Sequence, residues 1–234
     1  VNTGAVIVAA GSGKRMGGER NKLWLPLAGK PIFCHTIELF VSHPMIAETV
    51  LVVSEADRAD ITDLIELNGY RNIKLVPGGA ERQESVQNGL AALSASCEYV
   101  LVHDAARPFL TTAQLTAVVE QVQQDQATIL AVPVKDTIKI VGDDGYVEST
   151  PARESLWAVQ TPQAFRLALL QDVHKQAKDA GKAGTDDAML VEWMGHRVSV
   201  MMGSYENIKI TTPDDLWLGE EILRKRLGSD RGEE

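Results

Sequence analysis

Apolar positions along the chain fall into short runs that alternate with stretches of helical periodicity. The first run, residues 4–10, is rich in Val and Ile and stops at Gly11, the pattern of a strand buried on both faces. Further runs lie at 49–53, 73–76, 99–102 and 128–134, each parted from the next by apolar residues at helical spacing. Pro31 opens one such helix, with Ile32, Ile37 and Phe40 on its stripe, and Val86, Leu90 and Leu93 mark another after Glu81. Strand and helix in alternation predict a parallel sheet covered on both faces.

The fold expected is therefore α/β, a Rossmann-like three-layer α/β/α sandwich with a mostly parallel sheet. Past Pro133 the rhythm changes. Residues 134–141, the turn-prone Gly142-Asp143-Asp144-Gly145 and residues 146–150 read as a β-hairpin that projects from the core as an arm. Helices are expected at 165–180 and 186–194, strands near 198–202 and 208–210, and a closing helix after Thr212. That helix is well specified at its start, with Thr212 as cap, Pro213 at the first position, and Asp214 and Asp215 complementing the dipole. No repeat, low-complexity tract or linker interrupts the chain, so one domain over 1–234 is expected, with 134–154 as its arm.

The 234 residues, 44% hydrophobic, suffice for one substantial core. A net charge of −9 excludes a general polyanion binder, so neither nucleic acid nor an anionic membrane is an expected partner. A phosphate ligand then needs local positive charge. Cys34 and Cys97 sit in apolar surroundings without zinc-like spacing and read as buried free thiols, which suits a reducing compartment. No segment approaches the ~20 apolar residues of a membrane span. The first apolar run leads into a glycine loop, unlike a signal peptide, and a cytoplasmic location is expected.

That loop, Ala9-Ala10-Gly11-Ser12-Gly13-Lys14-Arg15-Met16-Gly17, follows the first strand directly, and its small residues let backbone N–H groups approach a phosphate or base edge. It is no dinucleotide fingerprint, because Met16 stands where the third glycine belongs. No Gly-Lys-Ser or Gly-Lys-Thr closes it as a Walker loop either. On the loop alone, a plain strand-to-turn glycine cluster stays open as the reading. Arg15 and Lys22 shift the balance by bringing cations to the carboxyl end of strand one, where open α/β sheets bind ligands. When an oxygen attacks the α-phosphorus of a nucleotide, charge builds on the nonbridging oxygens, and preplaced Arg and Lys stabilise it. Asp104 ends another strand run, where a carboxylate can hold Mg²⁺ against a triphosphate or can simply cap a turn. His103 reads as a core residue.

The loop, Asn21-Lys22-Leu23, Val102-His103-Asp104-Ala105-Ala106-Arg107-Pro108 and Thr161-Pro162-Gln163 together resemble the 2-C-methyl-D-erythritol 4-phosphate cytidylyltransferase family. The motifs stand in the family's order from Val6 to about Leu218. Asn21, where many members have proline, and Trp24 depart from the family without removing a charged group. The resemblance implies transfer of CMP from CTP to a sugar-alcohol phosphate, with Mg²⁺, in the non-mevalonate route to isoprenoids. It implies that Ala9, Ala10, Gly11 and Gly13 wrap the triphosphate while Arg15 and Lys22, with Lys209 close by, steady the pentacoordinate transition state. Gly79, Arg82 and Ser85 would meet the nucleotide and Asp104 the metal. Arg107, Thr137, Arg153, Thr161 and Thr185 would bind the acceptor's phosphate. The arm would cross to a second subunit in a homodimer, so that Thr137 and Arg153 serve the partner's site. A two-stranded ribbon is marginal in water without something to pack on, which fits that arrangement.

Four other readings remain at this stage. A sugar-nucleotide pyrophosphorylase using another base is disfavoured by residues 78–85, which look cytidine-directed by the same resemblance. A ribitol 5-phosphate cytidylyltransferase would keep the CTP machinery and differ in the acceptor pocket. A noncatalytic nucleotide-binding regulator would have no need to keep Arg15, Lys22 and Asp104 together. An NAD-dependent oxidoreductase is poorly served by the glycine spacing.

Overall fold

A strand whose two faces are both covered must be apolar where it is buried, and the first strand, β1 (Asn2–Val8), is apolar from Gly4 onward. In the computed structural model, which describes residues 2–11 and 21–229, Ala5 and Ile7 of β1 enter one core with Phe33, Ile37 and Phe40 of α1 (Ile32–Ser42). Val6 points the other way, into a second core. Between these lie a small hairpin of β2 (Pro26–Leu27) and β3 (Lys30–Pro31), and after α1 come β4 (Ile46–Val53), α2 (Arg58–Leu67) and β5 (Ile73–Pro77). The next helix, α3 (Arg82–Ala92), lies over Val6 so closely that a Cβ on Gly89 would sit 2.4 Å from the valine Cγ1.

The chain continues through β6 (Cys97–Asp104), α4 (Thr112–Asp125), β7 (Ala127–Pro133), β8 (Ile140–Val141), β9 (Val147–Ser149) and β10 (Trp157–Arg166). It ends with α5 (Leu167–Asp179), α6 (Asp187–Trp193), β11 (Ser199–Met202) and α7 (Pro213–Ser229). The main sheet has the order β11-β7-β10-β6-β1-β4-β5. The strands run parallel except β10, which is antiparallel to both β6 and β7. From β1 the chain moves to β4 and β5 on one side and then to β6 on the other, so a crevice opens at the carboxyl ends of β1 and β6.

The expected sandwich and its parallel strands are present, and α7 starts as read: Thr212 Oγ1 accepts from Asp215 N at 3.3 Å. Cys34 and Cys97 are free and buried. Among the described residues no helix is long and apolar enough to cross a membrane.

Three expectations need correction. The ten-residue strand β10 was not foreseen, because Pro162 cannot donate to a ladder and Gln160, Thr161 and Gln163 look foreign to a central strand. The sheet accommodates them with a register break between Val159 and Gln163. The polar side chains then act as pins: Gln160 Nε2 donates to Ser204 O at 2.7 Å, and Gln163 Oε1 accepts from the backbone of Asp187 and Ala188, each at 3.1 Å. Phe165 consequently belongs to β10, and the helix expected from residue 165 begins at Leu167. Residues 208–210 form no ladder; this stretch is tied down by Ile210 N, which donates to Ala106 O at 2.9 Å. The hairpin is present in short form, with β8 and β9 pairing only with each other around a turn in which Gly145 takes φ +82°.

Candidate active site

A cleft of about 500 Å³ occupies the crevice. Ala9, Ala10 and Gly11 leave β1 on one side of it, and the turn between β5 and α3 supplies Gly79, Arg82 and Ser85 on the other. The two sides touch at Gly78, where a Cβ would lie 2.3 Å from that of Ala10. Within the turn, the Ser85 hydroxyl donates to Glu81 O at 3.1 Å and accepts from Gly79 N at 3.0 Å, so the serine braces the wall that it also lines. Glu81 stands at the N-cap of α3 without a side-chain cap bond. Gly13 and Arg15 lie outside the described residues.

Asp104 ends β6 at the cleft floor. Its Oδ2 meets Lys209 Nζ at 2.7 Å, while Oδ1 faces Arg82 Nε at 3.7 Å. Burial would raise this carboxyl, but Lys209 and Arg82 outweigh burial and hold it at about 2. Arg82 is itself drawn sideways, its Nη1 2.9 Å from Oδ2 of the buried Asp187. Burial and these two carboxylates pull its basicity in opposite directions, and the carboxylates prevail.

Behind Asp104 runs a chain of hydrogen bonds whose polarity can be assigned throughout. Asp104 N donates to Thr161 Oγ1 at 3.0 Å, and that hydroxyl lies 3.0 Å from His103 Nδ1. His103 Nε2 lies 3.1 Å from Arg107 O, a carbonyl that can only accept. Nε2 therefore carries a proton. Burial drives the imidazole down to about 4, so the ring is neutral and Nδ1 accepts from Thr161. Thr161, expected to meet the acceptor phosphate, thus spends its hydroxyl inside the protein.

Lys22 opens a short 3₁₀ turn, Lys22–Trp24, and its Nζ donates to Ile210 O at 2.8 Å. Both flanks of the turn are gripped by Asp57, whose Oδ2 accepts from Asn21 Nδ2 at 3.0 Å and Oδ1 from Trp24 Nε1 at 2.8 Å. Asn21 also reaches Ala9 O at 3.3 Å, tying the lysine's turn to the end of β1. The two residues that depart from the family pattern are thus partners of one carboxylate.

The remaining expected residues stand apart from the cleft. Arg107 donates through Nη1 to Asn207 O at 2.8 Å, and its buried Nε has no partner. Thr137 and Arg153 are exposed on the arm, where Arg153 Nη1 donates to Lys135 O at 3.0 Å. Thr185 is exposed just before α6.

A family model described as 2-C-methyl-D-erythritol 4-phosphate cytidylyltransferase matches residues 3–225. The chain belongs to this family. It is 47% identical over 230 residues to the cytidylyltransferase of Alkaliphilus metalliredigens, covering 97% of this chain and 95% of the relative. Against that of Syntrophotalea carbinolica it is 49% identical over 223 residues, covering 93% and 94%. A crystal structure of 4-diphosphocytidyl-2C-methyl-D-erythritol synthase from Anaerococcus prevotii superposes with a TM-score of 0.86 at 34% identity, covering 95% of this chain and 96% of the other. The cytidylyltransferase structure from Thermus thermophilus gives 0.77 at 31% identity, covering 96% and 100%. The activity is that of a cytidylyltransferase of the non-mevalonate isoprenoid route, which excludes the oxidoreductase and the noncatalytic regulator.

Asp57, Asp187 and His174 shape this cytidylyltransferase site without having been given a role from the sequence, and Gln163 entered only as part of the Thr161-Pro162-Gln163 motif. Asp187 lies in the Gly184-Thr185-Asp186-Asp187 run, and its doubled acid was the one signal available. Asp57 had none, since a lone Asp after a strand most often caps a turn.

Proposed function

We propose that the enzyme binds CTP in the cleft between the β1 loop and the β5–α3 turn and joins CMP to 2-C-methyl-D-erythritol 4-phosphate, forming 4-diphosphocytidyl-2-C-methyl-D-erythritol. A phosphate oxygen of the acceptor attacks the α-phosphorus of CTP, the bond from that phosphorus to the β-bridging oxygen breaks, and pyrophosphate leaves. The observation that carries this reading is the convergence of Lys22, Arg82, Lys209 and Asp104 on one cleft at the sheet's switch point. The attacking phosphate is already ionised near neutral pH, so no strong general base is required and the neutral His103 is left to structure. Catalysis then rests on positioning and on positive charge, with Lys22 and Arg15 facing the α-phosphate and Lys209 the triphosphate.

A divalent cation fits the floor of the cleft in one way. Among the described residues no group of three or more metal-ligating side chains gathers. Asp104 offers an oxygen, Oδ1, held beyond hydrogen-bond length from Arg82. One carboxylate suits Mg²⁺ that arrives with triphosphate oxygens and water as its other ligands. Bound there, Mg²⁺ would neutralise phosphate charge. Asp104 would hold it, and the cations around Asp104 keep that carboxylate ionised.

Homodimerisation through the arm is part of the same reading. Ile140, Val141, Tyr146 and Val147 are exposed apolar residues on a ribbon that pairs only with itself, and a second copy would cover them. Thr137 and Arg153 of one copy would then reach the acceptor in the other's cleft, beside Arg107 and Thr185. A cytoplasmic location accords with the free, buried cysteines.

The test is pyrophosphate release from CTP with 2-C-methyl-D-erythritol 4-phosphate or ribitol 5-phosphate, with and without Mg²⁺, for wild type and Lys22→Ala. Release with the first acceptor, dependent on Mg²⁺ and reduced at least ~100-fold in Lys22→Ala, is expected. Equal turnover of ribitol 5-phosphate, or a near-normal rate in the variant, would refute the assignment.

A further inference from the structure

Asp187 and His174 form a fully buried pair, Oδ1 to Nε2 at 2.9 Å, beneath the wall of the cleft and away from any reacting atom. Such a pair costs desolvation that packed apolar side chains would avoid, so fold stability alone is a weak reason for its presence. The pair's carboxylate reaches outward through an ion pair, Asp187 Oδ2 to Arg82 Nη1 at 2.9 Å. Asp187 is also placed independently of Arg82. Its backbone N–H and that of Ala188 donate to Gln163 Oε1, and Gln163 Nε2 donates to Asp186 Oδ2 at 2.8 Å. Since Gln163 of β10 pairs with Val102 of β6, the start of α6 is locked to the strand that ends at Asp104.

We propose that Asp187, backed by His174, is a positioning residue that holds Arg82 at ion-pair range of Asp104 without letting the two close to a hydrogen bond, and so keeps both available to the nucleotide. The inference rests on the reading that Arg82 faces CTP. Arg82 has five donors in a planar fork suited to two parallel bonds with a carboxylate. With Nη1 taken by Asp187, its Nε stops 3.7 Å from Asp104 Oδ1. Released from Asp187, the guanidinium would turn onto Asp104, whose other oxygen Lys209 already occupies. Asp104 would then be saturated, and Arg82 withdrawn from the triphosphate.

The experiment is a double-mutant cycle of Asp187→Asn with Arg82→Ala. It is read as the dissociation constant of CTP by calorimetry, with and without Mg²⁺, and as KM and kcat for both substrates. Asp187→Asn is expected to weaken CTP about tenfold, to change kcat less than about threefold, and to leave the acceptor's KM unmoved. In the Arg82→Ala background it should add little, because the residue it positions is gone. His174→Gln, which retains a donor toward Asp187, guards against a variant that does not fold and should show a smaller loss in the same direction. Unchanged CTP affinity in folded Asp187→Asn, or losses that multiply across the cycle, would overturn the positioning role. Unchanged affinity in Arg82→Ala itself would instead overturn the reading on which it rests.

Discussion

At the scale of the residue, burial keeps His103 neutral, with Nε2 donating to Arg107 O and Nδ1 accepting from Thr161, whose oxygen accepts from Asp104 N. The consequence is a definite dependence of stability on pH. The folded imidazole titrates at about 4 and the unfolded one at 6.5, so in between the unfolded chain binds more protons. The contribution is complete above pH 6.5 and disappears as pH falls through about 4. Between pH 7 and pH 5, denaturant titrations should show wild type losing about 2 kcal/mol more than His103→Gln. An equal loss in both proteins would mean that His103 is already charged or already exposed. The sequence already spoke for a core histidine here and for cations near β1. It did not reveal the Thr161 bond, which depends on a strand that Pro162 conceals.

Elements bring these residues together, and they differ in how visible they are beforehand. Strands β1, β4, β6 and β7 are legible because the buried stretch of a doubly covered strand is apolar, edge strand β5 because Ile73, Leu75 and Val76 make a short apolar run, and α7 because its cap chemistry is local. By contrast β10 carries a register break and polar pins whose partners lie in α6 and near β11, so nothing within its own ten residues announces it. The 3₁₀ turn at Lys22 depends in the same way on a distant residue. Asp57 holds Asn21 and Trp24 across more than thirty positions of sequence, and Ser54 Oγ donates to the same carboxylate at 2.7 Å. Asp57→Ala leaves these donors without their acceptor and should cost about 2–3 kcal/mol by denaturant titration. It should also lower kcat through misplacement of Lys22, and an unaltered kcat in the folded variant would show that the lysine holds its place without this grip.

For the whole molecule, order of strands explains where the chemistry sits. The reversal at β1 opens the sheet at its carboxyl edge, and the segments that end there bring Lys22, Arg82, Lys209 and Asp104 to one cleft. This accounts for phosphate chemistry in a chain of net charge −9, because the needed positive charge is local. Recognition of the acceptor was the least legible part: Thr137 and Arg153 lie out on the arm, so one copy of the chain does not assemble them with the cleft. A crystal structure of the enzyme with CTP and Mg²⁺ bears most directly on the central claim. The account predicts the triphosphate between the β1 loop and the β5–α3 turn, its α-phosphate beside Lys22 and the cation on Asp104. Nucleotide bound elsewhere, or Lys22 and Arg15 turned away from its phosphates, would contradict it.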